Sequence, residues 1–141
     1  MKITVDLNVL LDVAQHRLPH YAASEEVLHR ARLGEYAATL PGHALTTLHY
    51  LIEKHSGMAL ANETIDGLLA DFAVHSPDKA GFQRARQLPL KDFEDAVVAV
   101  VAEATGSEYL VTRNVADFSG TPVPAITPAD FLELLAGIEM E

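Results

Sequence analysis

The stretch LKDFEDAVVAVVAEATGSEYLVTRNVADF, Leu90 to Phe118, decides how this chain must fold. It opens with three carboxylates, Asp92, Glu94 and Asp95, runs through a long segment of Ala and Val, and closes on Asn114 and Asp117. The apolar segment predicts a helix over about residues 92–105. After it, EYLVT is a continuous apolar run ending at Thr112, which is how a central strand of a parallel sheet reads. A helix followed by such a strand is half of a crossover unit, so the rest of the chain should supply its partners.

It does. Towards the N-terminus, KITV (residues 2–5) reads as a short β-branched strand and Leu7 to Ala14 as a short helix. HYAASEEVLHRARLG is an amphipathic helix stopped by Gly34, and EYAATL is a second strand. GHALTTLHYLIEKHSG and ALANETIDGLLADF predict two further helices, FAVHS a third strand, and PDKAGFQRARQL a helix with Pro77 at its start. Beyond Asn114, VPAIT predicts a last strand and PADFLELLAG a last helix. There is no internal repeat, low-complexity linker or composition break, so residues 1–141 are expected to form one domain. Alternating strands and helices imply an α/β domain: a central parallel sheet with helices on both faces, joined by right-handed crossovers.

Composition narrows the function classes. Hydrophobic residues at 49% against 21% charged mark a globular chain. No apolar run approaches the roughly 18 residues of a membrane span, and Lys2 followed by ITV and Asp6 lacks the shape of a signal peptide. The absence of cysteine excludes disulfides, zinc–thiolate sites and thiol catalysis, and suits the cytoplasm. A net charge of −10 is awkward for a nucleic-acid partner. Either the partner is not a polyanion, or the carboxylates gather around a cation that carries the positive charge.

The distribution of acids favours the second. In parallel α/β sheets, ligands sit beyond the carboxyl ends of the strands. Asp6 and Asn8 follow the first strand, and Asn114 and Asp117 follow EYLVT. The helix that precedes EYLVT must begin at the same edge, bringing Asp95 and Asp92 there. Asp92 and Asp95 are three apart and should share a face, with Glu94 pointing away. Taken singly, Asp92 and Asp95 read as helix caps and Asn114 and Asp117 as turn residues. Together with Asp6 they read as one acidic site. Carboxylates so gathered repel unless neutralised. Hard cations such as Mg2+ or Mn2+ prefer oxygen ligands and support phosphodiester hydrolysis.

These residues resemble the PIN domain family. VDLNVLLDV is similar to the family's opening, an aspartate ending the first strand with an asparagine close behind. DFEDAVVAVVAEATGSEYLVTRNVADF resembles its second half: an aspartate starting an apolar helix, then a strand leading into a Thr-x-Asn turn and Asp-Phe. The resemblance implies an α/β/α sandwich and a magnesium- or manganese-dependent ribonuclease, in prokaryotes often the toxin of a toxin–antitoxin pair. It implies that Asp6 and Asp95 hold the metal, with Asn114 where many members have a further aspartate, Asp117 on the same turn, and Thr112 bordering the site. The pattern departs in HALTTLHYLIEK, where members commonly carry a glutamate and the nearest equivalent is Thr47; Glu53 falls later, near the helix end. That departure leaves the number of ions open.

Among other candidates, Arg113 stands beside the site with a fork suited to phosphate. Arg84, Arg86 and Lys91 precede the acidic helix and either line a path for RNA or form a solvated face. The seven histidines show no metal-binding spacing. Leu132, Leu134 and Leu135 read as core or dimer surface, and no glycine-rich phosphate loop is present. The expected protein is therefore a cytoplasmic PIN-like endoribonuclease with RNA as substrate, an antitoxin as partner and a homodimeric state. Asp6, Asp95, Asp117 and Asn114 form its centre, supported by Thr112, Asp92 and Asn8. The alternative is a non-catalytic PIN-like module, favoured by the missing glutamate. A phospho-acceptor receiver domain ranks last, because no lysine near YLVT would pair the phosphate.

Overall fold

Five short strands place the carboxyl edge. In the computed structural model, which describes Met1–Met140, β1 (Lys2–Val5) lies between β2 (Ala37–Pro41) and β4 (Tyr109–Val111). β3 (Ala73–His75) flanks β2 and β5 (Ala125–Ile126) flanks β4, giving the order β3-β2-β1-β4-β5. Every pairing is parallel. The register sets Val5 opposite Val111, so the residues that follow, Asp6 and Thr112, leave the sheet side by side. The Asp6 N–H donates to the Val111 carbonyl at 3.0 Å, extending the ladder by one rung.

Seven helices connect and cover the strands: α1 (Leu7–Ala14), α2 (Tyr21–Arg32), α3 (Gly42–Ser56), α4 (Met58–Asp71), α5 (Lys79–Gln87), α6 (Phe93–Ala104) and α7 (Pro128–Glu139). One sheet face, with Ile3, Val5, Leu40 and Val111, packs against Val9, Leu10, Val27, Leu28, Leu48 and Phe131 from α1, α2, α3 and α7. On the other, Leu110 meets Val98, Ala99 and Ala102 of α6, with Phe118 and Val123. α5 lies outside α6, where Ala85 touches Ala96, Val97 and Val100. The expected α/β/α sandwich is therefore the observed one.

Residues 96–102 of α6 are all buried, which explains their composition. A helix covered on one side by a sheet and on the other by a helix has no wet face to furnish with charge. Its polar residues are confined to its ends. At the start, Asp92 has extended backbone (φ −94°, ψ 124°) and its Oδ1 accepts the Asp95 N–H at 3.0 Å. Asp92 is thus a helix cap outside the helix, worth about 1 kcal/mol.

The sequence-based elements hold with small changes. α2 ends before Gly34, whose φ of +82° needs glycine. α5 begins at Lys79 rather than at Pro77, because Asp78 caps it by accepting the Gly81 N–H at 3.0 Å. The final strand is shorter than VPAIT, pairing only at Ala125 and Ile126. Leu132 and Leu134 pack against the main core and Leu135 is part of it. Among the described residues, no helix is long and apolar enough to cross a membrane.

Candidate acidic site at the carboxyl edge of the sheet

Asp6 is the best-defined member of the site. It is 7% exposed and its carboxylate accepts three neutral donors: the Leu7 N–H at 2.8 Å, the Thr112 hydroxyl at 2.8 Å and Asn8 Nδ2 at 3.3 Å. Thr112, fully buried, is the hub. Its Oγ1 also accepts from Asn8 Nδ2 at 3.2 Å and from the Asn114 N–H at 3.1 Å. Asn8 Oδ1 accepts the Arg113 N–H at 3.2 Å. Asn8, Thr112 and Asp6 therefore tie the ends of β1 and β4 into one rigid network, which fixes the Asp6 carboxylate without supplying a positive charge.

Electrostatics shows which acids the fold brings near it. Burial pushes the Asp6 carboxyl up, against the Thr112 and Leu7 hydrogen bonds that lower it; the Glu94 charge raises it further and His43 lowers it. Asp95 is pushed up to about 6, by burial first and then by the charges of Asp92, Asp6, Asp117 and Glu94. Asp6, Asp95 and Asp117, from three distant segments, therefore share one field, as the sheet topology predicts. Among the described residues, none of these three forms a salt bridge with a basic side chain.

A cleft of about 450 Å³ opens here, lined by Pro89, Leu90, Lys91, Asp92, Asp95, Ala116, Asp117 and Ser119. Asp6 does not line it, but its charge is felt at Asp95, which does. Asp117 lies on the single 3-10 turn Val115–Phe118, while Asn114, exposed just before it, offers no side-chain cap. Lys91 is the cation on the rim.

Several residues sit otherwise than expected. Glu94 does not line the cleft, but its Oε1 is 3.9 Å from His43 Nε2, and its charge reaches both Asp6 and Asp95. Asp92 and Asp95 both line the cleft, as their spacing predicts, with Asp92 just ahead of the helix and Glu94 and Asp95 in its first turn. His43, on the first turn of α3, belongs to no metal-binding histidine spacing; only the fold brings it to the acids. Arg113 turns its guanidinium away from the cleft, with Nε 2.8 Å from Oδ2 of the fully buried Asp12. That pair is Coulombic, since the Nε–H does not aim along the line to Oδ2, and Asp12 Oδ1 has no hydrogen-bond partner. The Ser24 hydroxyl donates to the same Oδ2 at 3.2 Å. Arg84 is held by Glu103, two contacts at 3.1 Å, towards the far end of α6.

The donors suit a hard divalent cation. Among the described residues, no group of three or more His, Cys, Asp or Glu is gathered closely enough to hold a metal unaided. What the site offers is two carboxylates whose charged forms are disfavoured, Asp6 by burial and Asp95 by burial and neighbouring acids that include Asp6, and neither is salt-bridged to a basic side chain among the described residues. Mg2+ takes one or two carboxylates and otherwise keeps its waters, so this sparse set fits it.

A parallel α/β/α sandwich with acids at the ends of its first and fourth strands and at the start of the intervening helix is the architecture of a PIN domain. The chain belongs to that family: the PIN domain model matches residues 2–116. No curated protein matches it in sequence. Among solved structures, it is similar to VapBC2 from Rickettsia felis bound to a DNA fragment from their promoter, at 15% identity over 90% of this chain and 98% of that one, with a TM-score of 0.71. It is similar to DNA-bound VapBC from Salmonella typhimurium, at 17% identity over 91% and 98%, TM-score 0.70. It is also similar to VapC20 from Mycobacterium tuberculosis, a Sarcin-Ricin loop cleaving toxin, at 14% identity over 77% and 86%, TM-score 0.62.

Proposed function

We propose that this chain is a single-domain, divalent-metal-dependent endoribonuclease and the toxin of a toxin–antitoxin pair. One observation carries the reading: Asp6 is buried at the end of the central strand with only neutral donors, beside an Asp95 whose carboxyl is pushed up to about 6. A fold that excludes water from an acid and supplies no counter-charge loses stability unless a cation arrives from solution. Support for RNA as substrate and for an antitoxin partner comes from the similar structures, a Sarcin-Ricin loop cleaving toxin and two toxin–antitoxin assemblies on DNA.

In this reading Asp6 and Asp95 hold Mg2+ or Mn2+. The chemistry supplied on binding such an ion is Lewis-acid activation of water and polarisation of the phosphodiester. Thr112 and Asn8 keep the Asp6 carboxylate oriented. Asp117 and Asn114 border the space where the scissile phosphate enters, and Lys91 on the rim offsets phosphate charge. Asp92 fixes the start of α6, and hence the position of Asp95. A cation also removes the difficulty posed by the net charge of −10, because the polyanion meets a local positive centre.

Asp6→Asn and Asp95→Asn should each abolish metal-dependent cleavage of single-stranded RNA while leaving the circular dichroism spectrum unchanged. Cleavage by either variant at the wild-type rate, at matched metal concentration, would overturn the assignment. The rival reading, a non-catalytic PIN-like module, rests on the neutral Asn114 and on Thr47 standing where an acid is expected. RNA binding by the wild type without metal-dependent cleavage is the outcome it requires.

A further inference from the structure

Building on that reading of the acidic site, we infer that Glu94 supplies, from the first turn of α6, the third carboxylate that α3 fails to provide, and that His43 positions it. On α3, His43 and Thr47 lie one turn apart on the same face. The Thr47 hydroxyl donates to the His43 carbonyl at 3.4 Å, so it is spent on its own helix and brings no charge to the site. Glu94 arrives at this place from the other side, with Oε1 3.9 Å from His43 Nε2. The acid missing from α3 is thus replaced by an acid from the first turn of α6.

Three further observations separate this from a surface contact. Glu94 is the acid whose charge is felt at both Asp6 and Asp95, so it stands within electrostatic reach of the site. Both ring nitrogens of His43 are buried and without hydrogen-bond partners, an arrangement that costs free energy unless something comes to use them. Glu94 makes no hydrogen bond among the described residues, and its side chain is 52% exposed. No hydrogen bond therefore holds it away from Asp6 and Asp95. Contact through water suits this spacing, because a hard cation such as Mg2+ keeps part of its hydration shell.

The test reads metal affinity, not activity: Mn2+ titrations followed by melting temperature, on the full chain at neutral pH. Glu94→Gln should weaken the apparent dissociation constant tenfold or more, whereas Glu63→Gln, the same charge change on distant α4, should leave it unchanged. Adding Thr47→Glu to Glu94→Gln should recover most of the loss. His43→Ala should weaken affinity about threefold in the wild type and not at all beside Glu94→Gln, the coupling expected of a residue acting through another. A wild type blind to Mn2+ would overturn the nuclease reading and this inference together. A responsive wild type with an equally responsive Glu94→Gln overturns this inference alone. Failure of Thr47→Glu to rescue overturns the claim that the two positions serve one place, and additive His43 and Glu94 losses overturn the positioning role.

Discussion

Asp6 caps the start of α1 and Asp12 lies within the same short helix, and both are buried, at 7% and 0% exposure. Their environments differ in kind. Asp12 has a cation of the protein's own, Arg113, at 2.8 Å, and a hydroxyl from Ser24. Asp6 has two amide donors and a hydroxyl, and its nearest charged neighbours include further acids. A buried acid matched by a fixed arginine has its counter-charge within the protein and belongs to the architecture. A buried acid held by neutral donors among like charges is incomplete until a diffusible cation joins it. Residue type and burial are alike in the two cases; only the source of positive charge tells structure from site.

The comparison breaks most visibly at Arg113. Arg113→Ala strands Asp12 without its counter-charge, and the expected loss is about 3–5 kcal/mol in urea unfolding. Asp12→Asn added to it should recover a large part. A loss of under about 1 kcal/mol would mean that Asp12 does not depend on Arg113, and the contrast with Asp6 would collapse.

Acidity sharpens the other half. In chelator, the Asp95 carboxyl sits near 6 in the fold against an ordinary 3.8, so the folded chain holds that proton more tightly than the unfolded one. Its contribution to stability is fully present below about pH 4 and is lost as pH rises through about 6, the reverse of an ion-paired aspartate. Solvent screening at this partly exposed group reduces the effect to about 1 kcal/mol. The wild type should therefore lose stability over that window relative to Asp95→Asn; parallel curves would contradict the crowding of acids at this edge.

The smallest effect belongs to Asp92. Asp92→Ala removes a cap worth about 1 kcal/mol, but it also removes the largest charge repulsion on Asp95. The net loss expected in thermal melts is about 0.5 kcal/mol. A gain would show that repulsion outweighs capping at the start of α6.

Much of this was legible in the sequence. The period of each segment gave the elements, and the rule that helices return antiparallel to parallel strands brought Asp6, Asp95 and Asp117 to one edge. What was not legible depends on a single residue or on contacts across the fold. Spacing places Asp92 and Asp95 together but does not say which side chain Glu94 will meet between them. The pairing of Arg113 with Asp12 joins residues far apart in the chain, and no spacing rule anticipates it. His43 carries no signal at all until the N-terminal ends of α3 and α6 meet at the carboxyl edge of the sheet.

The central claim is that Asp6 and Asp95 await a cation and are not merely well-placed turn and helix-terminus residues. Melting curves of the wild type and of Asp95→Asn, in chelator and in millimolar Mn2+, test it most directly. The account predicts that Asp95→Asn melts no lower than the wild type in chelator. It predicts that Mn2+ stabilises the wild type by roughly 2.7 kcal/mol at a hundred times the dissociation constant, and that the variant loses most of that gain. A wild type indifferent to Mn2+, together with an Asp95→Asn that melts lower in chelator, would contradict it and return these acids to structural roles.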